Sequence, residues 1–190
     1  IWELRLPRLI ASLLVGSSLG MSGALLQGML RNGLASPYLL GISAGSGLVI
    51  VFFISFGLIQ NFIPFAAWIG AIFTTLIVFV LSKDGNKIVI ERLVLGGVAI
   101  SSLFGAIQAT LLLQAEDGRI QAALNWLIGS LNARGWQEIK FTTLPILIAL
   151  FIGLFLYRQL NLLSLGDELS VSLGTSLFRS RCLIGAIATL

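Results

Sequence analysis

Long stretches without any charged side chain constrain this chain more than any other feature of its sequence. Residues 9–30 contain no Asp, Glu, Lys or Arg, and neither do residues 32–82, over 51 consecutive positions. A helix needs about 20 apolar residues to cross the hydrocarbon core of a bilayer. Membrane-spanning strands would alternate apolar and polar residues, and these stretches do not alternate. The pattern predicts an all-α, polytopic integral membrane helical bundle.

The same stretches predict where the chain crosses the membrane. Residues 32–82 are long enough for two crossings, with the turn between them at Gln60, Asn61 and Pro64. The expected spans are 9–29, 38–58, 64–82, 93–115, 141–158 and a truncated sixth at 181–190. We expect 1–190 to be a single transmembrane domain and part of a longer protein, because the chain opens at Ile1 and closes within an apolar run.

Composition excludes several classes of protein. Hydrophobic residues make up 57% of the chain and charged residues 11%, whereas soluble domains carry about 25% charged residues. The net charge of +4 is not gathered into a basic cluster with interleaved aromatic residues, so no nucleic-acid partner is expected and the basic residues are assigned to lipid headgroups. One cysteine and no histidine argue against an internal disulfide or a metal centre. No nucleophile–base pair is seen, so no catalytic residue is predicted.

Basic residues in the connections indicate an orientation. If the connections alternate between sides, one side collects Arg31, Lys83, Lys87, Arg92, Arg158, Arg179 and Arg181, and the other collects Arg5, Arg8, Arg119, Arg134 and Lys140. The positive-inside rule places the first set in the cytoplasm. Arg5 and Arg8 are therefore expected outside, together with the 116–140 loop. The 159–180 loop is expected in the cytoplasm.

Small residues at helical spacing predict faces for close helix packing. Gly16, Gly20, Ala24 and Gly28 recur every four residues along the first span, and Gly97, Ser101 and Gly105 do so along the fourth. Gln108 is one of few polar residues within a span, and no Asp, Glu, Lys or Arg is placed mid-span. Transporters coupled to protons or sodium generally need ionisable groups at that depth.

The 159–180 loop is too long for a simple connection between bundle helices. Ser164 followed by Asp167 resembles a capping box, and Gly174 suits a helix terminator. We expect two short helices, with Leu169, Val171 and Leu173 forming an exposed apolar surface. Such a surface fits either a helix lying on lipid or a site for a soluble partner.

Four blocks of this sequence, in order, resemble the FecCD-type permeases. They are "RLPRLIASLLVGSSLGMSGALLQGMLRNGLASPYLLGISAGSG" (5–47), "LVLGGVAISSLFGAIQA" (93–109), "NWLIGSLNARGWQE" (125–138) and "LNLLSLGDELSVSLG" (160–174). This family comprises membrane subunits of ABC importers for iron–siderophores, haem and cobalamin. The resemblance implies about ten spans in the full protein, of which about five and a half are here; the first span and the C-terminal part are missing.

The resemblance also implies partners. Two permease subunits, as a homodimer or heterodimer, would form the channel in the bacterial inner membrane. Two cytosolic ATPase subunits would hydrolyse ATP, so that this chain is not itself an enzyme and binds no cofactor directly. An extracytoplasmic substrate-binding protein would deliver the metal chelate.

Functional residues are carried over only where motifs match. Arg5 and Arg8 of "RLPR" correspond to the arginines that dock the binding protein. The loop that couples to the ATPase corresponds to 163–174, with candidate residues Leu165, Gly166, Asp167, Glu168, Leu173 and Gly174. Gln108 is a candidate for the pathway, because the family lines its pathway with this span.

Two other functions remain compatible with the residues alone. A secondary transporter or channel acting by itself would need an ionisable residue in the spans that are missing here. A membrane scaffold that transports nothing would require no such residue.

Overall fold

The computed structural model describes residues 2–3, 5–58, 62–85, 87–131 and 135–190. Nine α-helices lie within this described part of the chain: α1 (Arg5–Leu30), α2 (Ile42–Ser55), α3 (Ile63–Leu81), α4 (Ile90–Gln114), α5 (Asp117–Ile128), α6 (Trp136–Phe155), α7 (Tyr157–Ser164), α8 (Asp167–Ser172) and α9 (Leu177–Thr189). A 3-10 helix (Pro37–Leu40) precedes α2, and two short antiparallel strands, β1 (Lys83–Asp84) and β2 (Lys87–Ile88), connect α3 to α4. The predicted helical membrane class is confirmed.

Four helices, α1, α3, α4 and α6, are long and apolar enough to cross a bilayer. α1 has 26 residues and is therefore roughly 39 Å long at 1.5 Å per residue. The ends of α4 and α6 differ from the expected spans 93–115 and 141–158. Both helices begin several residues earlier, because their first turns include charged residues that the charge-free criterion left out.

The second expected span, 38–58, is shorter in the structure. α2 has 14 residues, which makes it about 21 Å long, less than the thickness of the hydrocarbon core. Gly41 and Gly57 bound it, with φ angles of 74° and 66° that a helix interior does not use. Residues Pro37–Leu40 continue as a 3-10 helix instead. The expected turn residues Gln60 and Asn61, and also Arg134, lie outside the described residues.

The chain divides into two compact units. Unit 1 comprises Ile1–Ser36 and Leu131–Ala188 with Leu190, and unit 2 comprises Pro37–Ser130 with Thr189. In unit 2, α2 packs against α3, α4 and α5. The buried side chains of Val51, Ile54, Ile63 and Ala123 form its core.

In unit 1, α1 packs along α6 and α7. A Cβ atom added at Gly153 of α6 would lie 3.1 Å from Met21 of α1. Farther along both helices, Leu160 of α7 packs against Gly28 of α1, within 2.6 Å of where a Cβ would be. Contacts therefore advance together along both segments, so α1 and α6–α7 run parallel.

Candidate functional site

The segment from Leu165 to Gly174 contains the short helix α8, and a glycine with a positive φ angle lies at each end of this helix. Gly166 precedes α8 with φ 108° and ψ 158°, a region that essentially only glycine adopts. Gly174 follows α8 at φ 83°, where glycine commonly ends a helix. Both glycines of the family-like pattern are thus placed where the backbone requires them. The expected capping box is wrong, because Ser164 belongs to α7 and Gly166 occupies the N-cap position.

Ser170 holds α8 against α7. Its side chain is buried, and its hydroxyl lies 2.5 Å from the carbonyl oxygens of Leu162 and Gly166, so its single proton can be donated to either. Its own carbonyl oxygen accepts a hydrogen bond from the Thr175 N–H at 2.9 Å. The position of α8 is therefore determined by buried polar contacts, which are costly to leave unmade.

Much of the exposed surface of this segment is apolar. Four of its large hydrophobic side chains are more than half exposed: Leu165, Leu169, Val171 and Leu173. Glu168 and Ser172 are exposed on the same helix. The four apolar side chains, of which Leu165 and Leu173 flank the helix, are called the apolar face of α8. An exposed apolar patch with a polar rim is typical of a surface that binds another protein or a membrane.

Asp167, the first residue of α8, is bound by two arginines. Its Oδ1 atom accepts a hydrogen bond from Nη2 of Arg181 in α9 at 2.8 Å and another from Nη2 of Arg31, just past α1. Arg181 is 1% exposed, so its charge needs a partner within the protein. Asp167 thus joins three elements of unit 1. Its predicted role in ATPase coupling remains a prediction.

Arg5 and Arg8 lie in the first turn of α1, three residues apart and therefore on one side of the helix. Both are exposed, and within the described residues neither forms an ion pair. Pro7 between them is buried, and its missing N–H costs nothing in a first turn. At the start of α1 the structure thus presents two exposed guanidinium groups for which the described residues supply no ion-pair partner.

The start of α6 lies beside the start of α1. The indole Nε1 of Trp136 donates a hydrogen bond to the carbonyl oxygen of Trp2 at 3.0 Å. Since α1 and α6–α7 run parallel, the arginine pair and α8 lie at opposite ends of unit 1. The side of the membrane that each end faces stays a prediction.

Gln108, the predicted pathway residue, is held by a hydrogen bond within unit 2. Its Nε2 donates to the carbonyl oxygen of Ala44 in α2 at 2.9 Å. The side chain therefore links α4 to α2. Its role in lining a pathway stays a prediction.

The predicted packing residues fall into two groups. A Cβ atom at Gly97 would overlap the carbonyl oxygen of Leu39, and one at Gly28 would crowd Leu160. Ser101, half-buried, lies 3.5 Å from the carbonyl oxygen of Tyr38. By contrast, a Cβ at Gly16, Gly20 or Gly105 would meet no atom within 4 Å, and Ala24 is exposed. For these four residues, close packing against another helix stays a prediction.

Sequence reasoning missed Ser170 and the arginine partners of Asp167. One signal was available for Arg181, which is followed by nine uncharged residues, 182–190. A charge at the edge of an apolar helix usually has a partner. No comparable signal distinguishes Ser170 from the other serines of the loop.

The sequence is similar to that of known transport proteins over its whole length. The model of the FecCD transport family matches residues 1–190. The "Probable iron chelatin transport system permease protein" of Helicobacter pylori (strain J99) is 39% identical over 188 residues, which cover 97% of this chain and 56% of that protein. The hemin transport system permease protein of Yersinia pestis is 37% identical over 190 residues, covering 95% of this chain and 56% of that protein.

A solved structure shares the fold. It is described as an inward-facing conformation of a metal-chelate type ABC transporter, and it is 30% identical with a TM-score of 0.91, covering 100% of this chain and 62% of that one. The chain thus spans about half the length of the curated relatives it matches. Because the family match extends over every residue, the chain belongs to the FecCD transport family.

Proposed function

We propose that this chain is part of the membrane permease subunit of a binding-protein-dependent ABC importer in the bacterial cytoplasmic membrane. The proposed cargo is an iron(III)–siderophore or a related metal chelate such as haem or cobalamin. Relatives named for iron chelatin, hemin and cobalamin transport support this class of cargo. Within the family, those names also mark the range of chelates among which the cargo is to be tested.

One observation carries the proposal: unit 1 presents two different exposed surfaces at its opposite ends. The arginine pair Arg5 and Arg8 begins α1, and the apolar face of α8 lies beyond its other end. α1 is long enough to place these surfaces on opposite sides of a membrane. A permease that receives cargo on one side and energy on the other needs this arrangement.

Arg5 and Arg8 are proposed to dock the binding protein. Guanidinium groups form bidentate, directional pairs with carboxylates. Two such groups three residues apart on one helix can fix both the position and the orientation of an acidic partner. Exposed charge pairs also favour rapid and reversible association, which suits a protein that delivers its ligand and departs.

The apolar face of α8 is proposed to contact the partner ATPase. ATP would be hydrolysed by that subunit and not by this chain. Movement of the ATPase against α8 would be passed to the membrane helices and switch the permease between outward-open and inward-open states. The cargo passes unchanged, so no covalent step is required of this chain.

A second permease subunit is the proposed partner within the membrane. Large side chains along α1, including Leu9, Leu13 and Leu19, are more than half exposed. Gly16, Gly20 and Gly105 leave open space beside their helices, where another helix backbone could approach closely.

The test is transport by the full-length permease with its ATPase and binding protein in proteoliposomes. Uptake of radiolabelled iron–siderophore, haem and cobalamin is measured with ATP, without ATP and with a protonophore. We expect uptake that requires ATP and withstands the protonophore. Uptake that collapses with the protonophore and needs no ATPase would instead establish a secondary transporter.

A second arm tests the coupling surface itself. Leu173→Glu places a charge on the apolar face of α8, and Leu173→Met is its size-matched control. We expect Leu173→Glu to lower ATP-dependent uptake at least about tenfold, with the control near wild type. Equal uptake by both variants would remove 163–174 from the coupling assignment.

A further inference from the structure

We infer that Arg31, Asp167 and Arg181 form a clasp that anchors the coupling helix α8 to α1 and α9. In this arrangement Asp167 is a positioning residue. Its carboxylate faces the permease, and the apolar face of α8 is left to meet the ATPase. The inference rests on the proposed coupling function of α8 and adds how a load on that helix would reach the membrane helices.

The guanidinium group of Arg181 is buried beside Asp167. Arg181 is 1% exposed, and its Nη2 lies 2.8 Å from Asp167 Oδ1. A buried guanidinium requires a carboxylate or several acceptors, because an isolated charge is very costly away from water. Movement of Asp167 away from α9 would remove this partner. The start of α8 is therefore tied to α9.

The backbone of Arg31 has an unusual conformation for an arginine. Among the described residues, Arg31 is the one non-glycine residue with a positive φ, 52°. It lies just beyond α1, where glycine is the usual residue in that conformation. The Asn32 N–H donates to the Gln27 carbonyl oxygen at 3.1 Å and completes the helix end. An arginine at this position carries a backbone cost, and its side chain reaches Asp167.

The turn that begins α8 also lies close to the Arg31 side chain. Gly166 immediately precedes Asp167, and a Cβ atom there would lie 3.9 Å from Nη1 of Arg31. The guanidinium thus passes beside the turn that begins α8. Ser170 secures the same helix to α7 through its hydroxyl. α8 is consequently held at its start by Asp167 and against α7 by Ser170. The side chains of its apolar face remain exposed.

The neighbouring acid provides a matched control. Glu168 follows Asp167 directly, is exposed, and forms no ion pair within the described part of the chain. Asp167→Asn and Glu168→Gln each remove one negative charge with little change of size. A general effect of charge on the ATPase contact would alter both variants, whereas the clasp requires Asp167 alone.

The experiment uses the full-length permease with its ATPase and binding protein in proteoliposomes. ATP hydrolysis and cargo uptake are measured together on unlabelled protein, and the mobility of α8 is measured separately with a spin label at Val171, in a background without other accessible cysteines. For Asp167→Asn we expect a more mobile label, a bound ATPase, and a fall of about tenfold in cargo moved per ATP hydrolysed. Glu168→Gln is expected to leave the mobility of the label as in wild type, because Glu168 forms no ion pair within the described part of the chain.

Arg31 supplies a second variant in case Asp167→Asn does not assemble. Removal of the Arg31 side chain leaves Asp167, which is 43% exposed, paired with Arg181, so that no buried charge loses its partner. Arg31→Ala should mobilise the label and lower the coupling ratio, and Arg31→Lys should restore part of both. A label that is as immobile in Arg31→Ala as in wild type overturns the clasp.

Two further outcomes also overturn it. Normal coupling despite a mobile label would mean that the clasp transmits nothing. Loss of the ATPase from Asp167→Asn but not from Glu168→Gln would mean that the carboxylate contacts the ATPase itself. The label measurement is also made on the permease alone. If the assembled importer shows no ATP-dependent uptake, the proposed function is rejected, and the mobility of α8 in the permease alone still tests the clasp.

Discussion

The two ends of α1 carry arginines in opposite circumstances. At its start, Arg5 and Arg8 are exposed and form no ion pair within the described residues. Beyond its other end, Arg31 shares the carboxylate of Asp167 with the buried Arg181. The same side chain is therefore presented outward at one end and used internally at the other. The difference indicates which arginines are available to a partner and which hold the fold.

The largest expected effect belongs to the outward pair. Changing both Arg5 and Arg8 to Glu should weaken binding of the cognate binding protein at least about 100-fold, because two attractive contacts become repulsive. Surface plasmon resonance on the full-length permease in nanodiscs measures this loss, with Lys replacements at both positions as the control. Thermal unfolding should be unchanged. Undiminished docking would return both arginines to the role of headgroup anchors.

The inward arginines should differ from each other in stability. Arg181→Ala removes a buried side chain and its ion pair and should cost about 3 kcal/mol. Arg31→Ala removes a partly exposed partner of the same oxygen and should cost less than about 1 kcal/mol. Unfolding of the detergent-solubilised full-length protein checks the order. Equal losses of unfolding free energy in the two variants would contradict the difference in burial between Arg181 and Arg31.

Two glycines of α4 differ in how closely other atoms pack against them. Gly97→Ala places a Cβ atom against the Leu39 carbonyl oxygen and should cost about 1–3 kcal/mol. Gly105→Ala meets no atom within 4 Å and, in isolation, should gain up to about 1 kcal/mol of helix propensity. The unfolding temperature of each variant is measured in the full-length permease. A loss at Gly105 as large as that at Gly97 would reveal a packed partner helix on that face.

The smallest expected effect is that of salt, which should change binding at the arginine pair more than binding at the apolar face of α8. Between about 0.01 and 0.15 M salt the screening length shortens from about 30 to 8 Å, so association of the binding protein should slow by about tenfold. Binding of the ATPase to the apolar face of α8 should change by less than about twofold over the same range, because that contact carries little charge. Stopped-flow mixing and pull-down of labelled subunits measure the two. A reversed dependence would exchange the two assignments.

The membrane-helix class was predictable from sequence, since a charge-free run such as 9–30 admits few other structures. The glycine at 174 was predictable as a helix terminator, because a positive φ angle after a helix favours glycine, whereas Gly166 was singled out only by the resemblance to the family. The shortness of α2 was not predictable, since apolar content alone conceals the turns at Gly41 and Gly57.

The clasp was beyond sequence reasoning for a different reason. Asp167 lies 136 residues from Arg31 and 14 from Arg181, and no local pattern records which charges meet in three dimensions. The spacing of Arg5 and Arg8, by contrast, is local, and their shared side follows from helical geometry. Contacts distant along the chain are therefore what the structure adds to the sequence.

The central claim is that opposite ends of one helical unit serve different partners. A photo-crosslinking amino acid at Arg8 and, separately, at Val171 in the assembled full-length transporter tests it most directly. We predict that position 8 crosslinks to the binding protein and position 171 to the ATPase, each exclusively. Crosslinks from both positions to the same partner, or with the partners exchanged, would contradict the account.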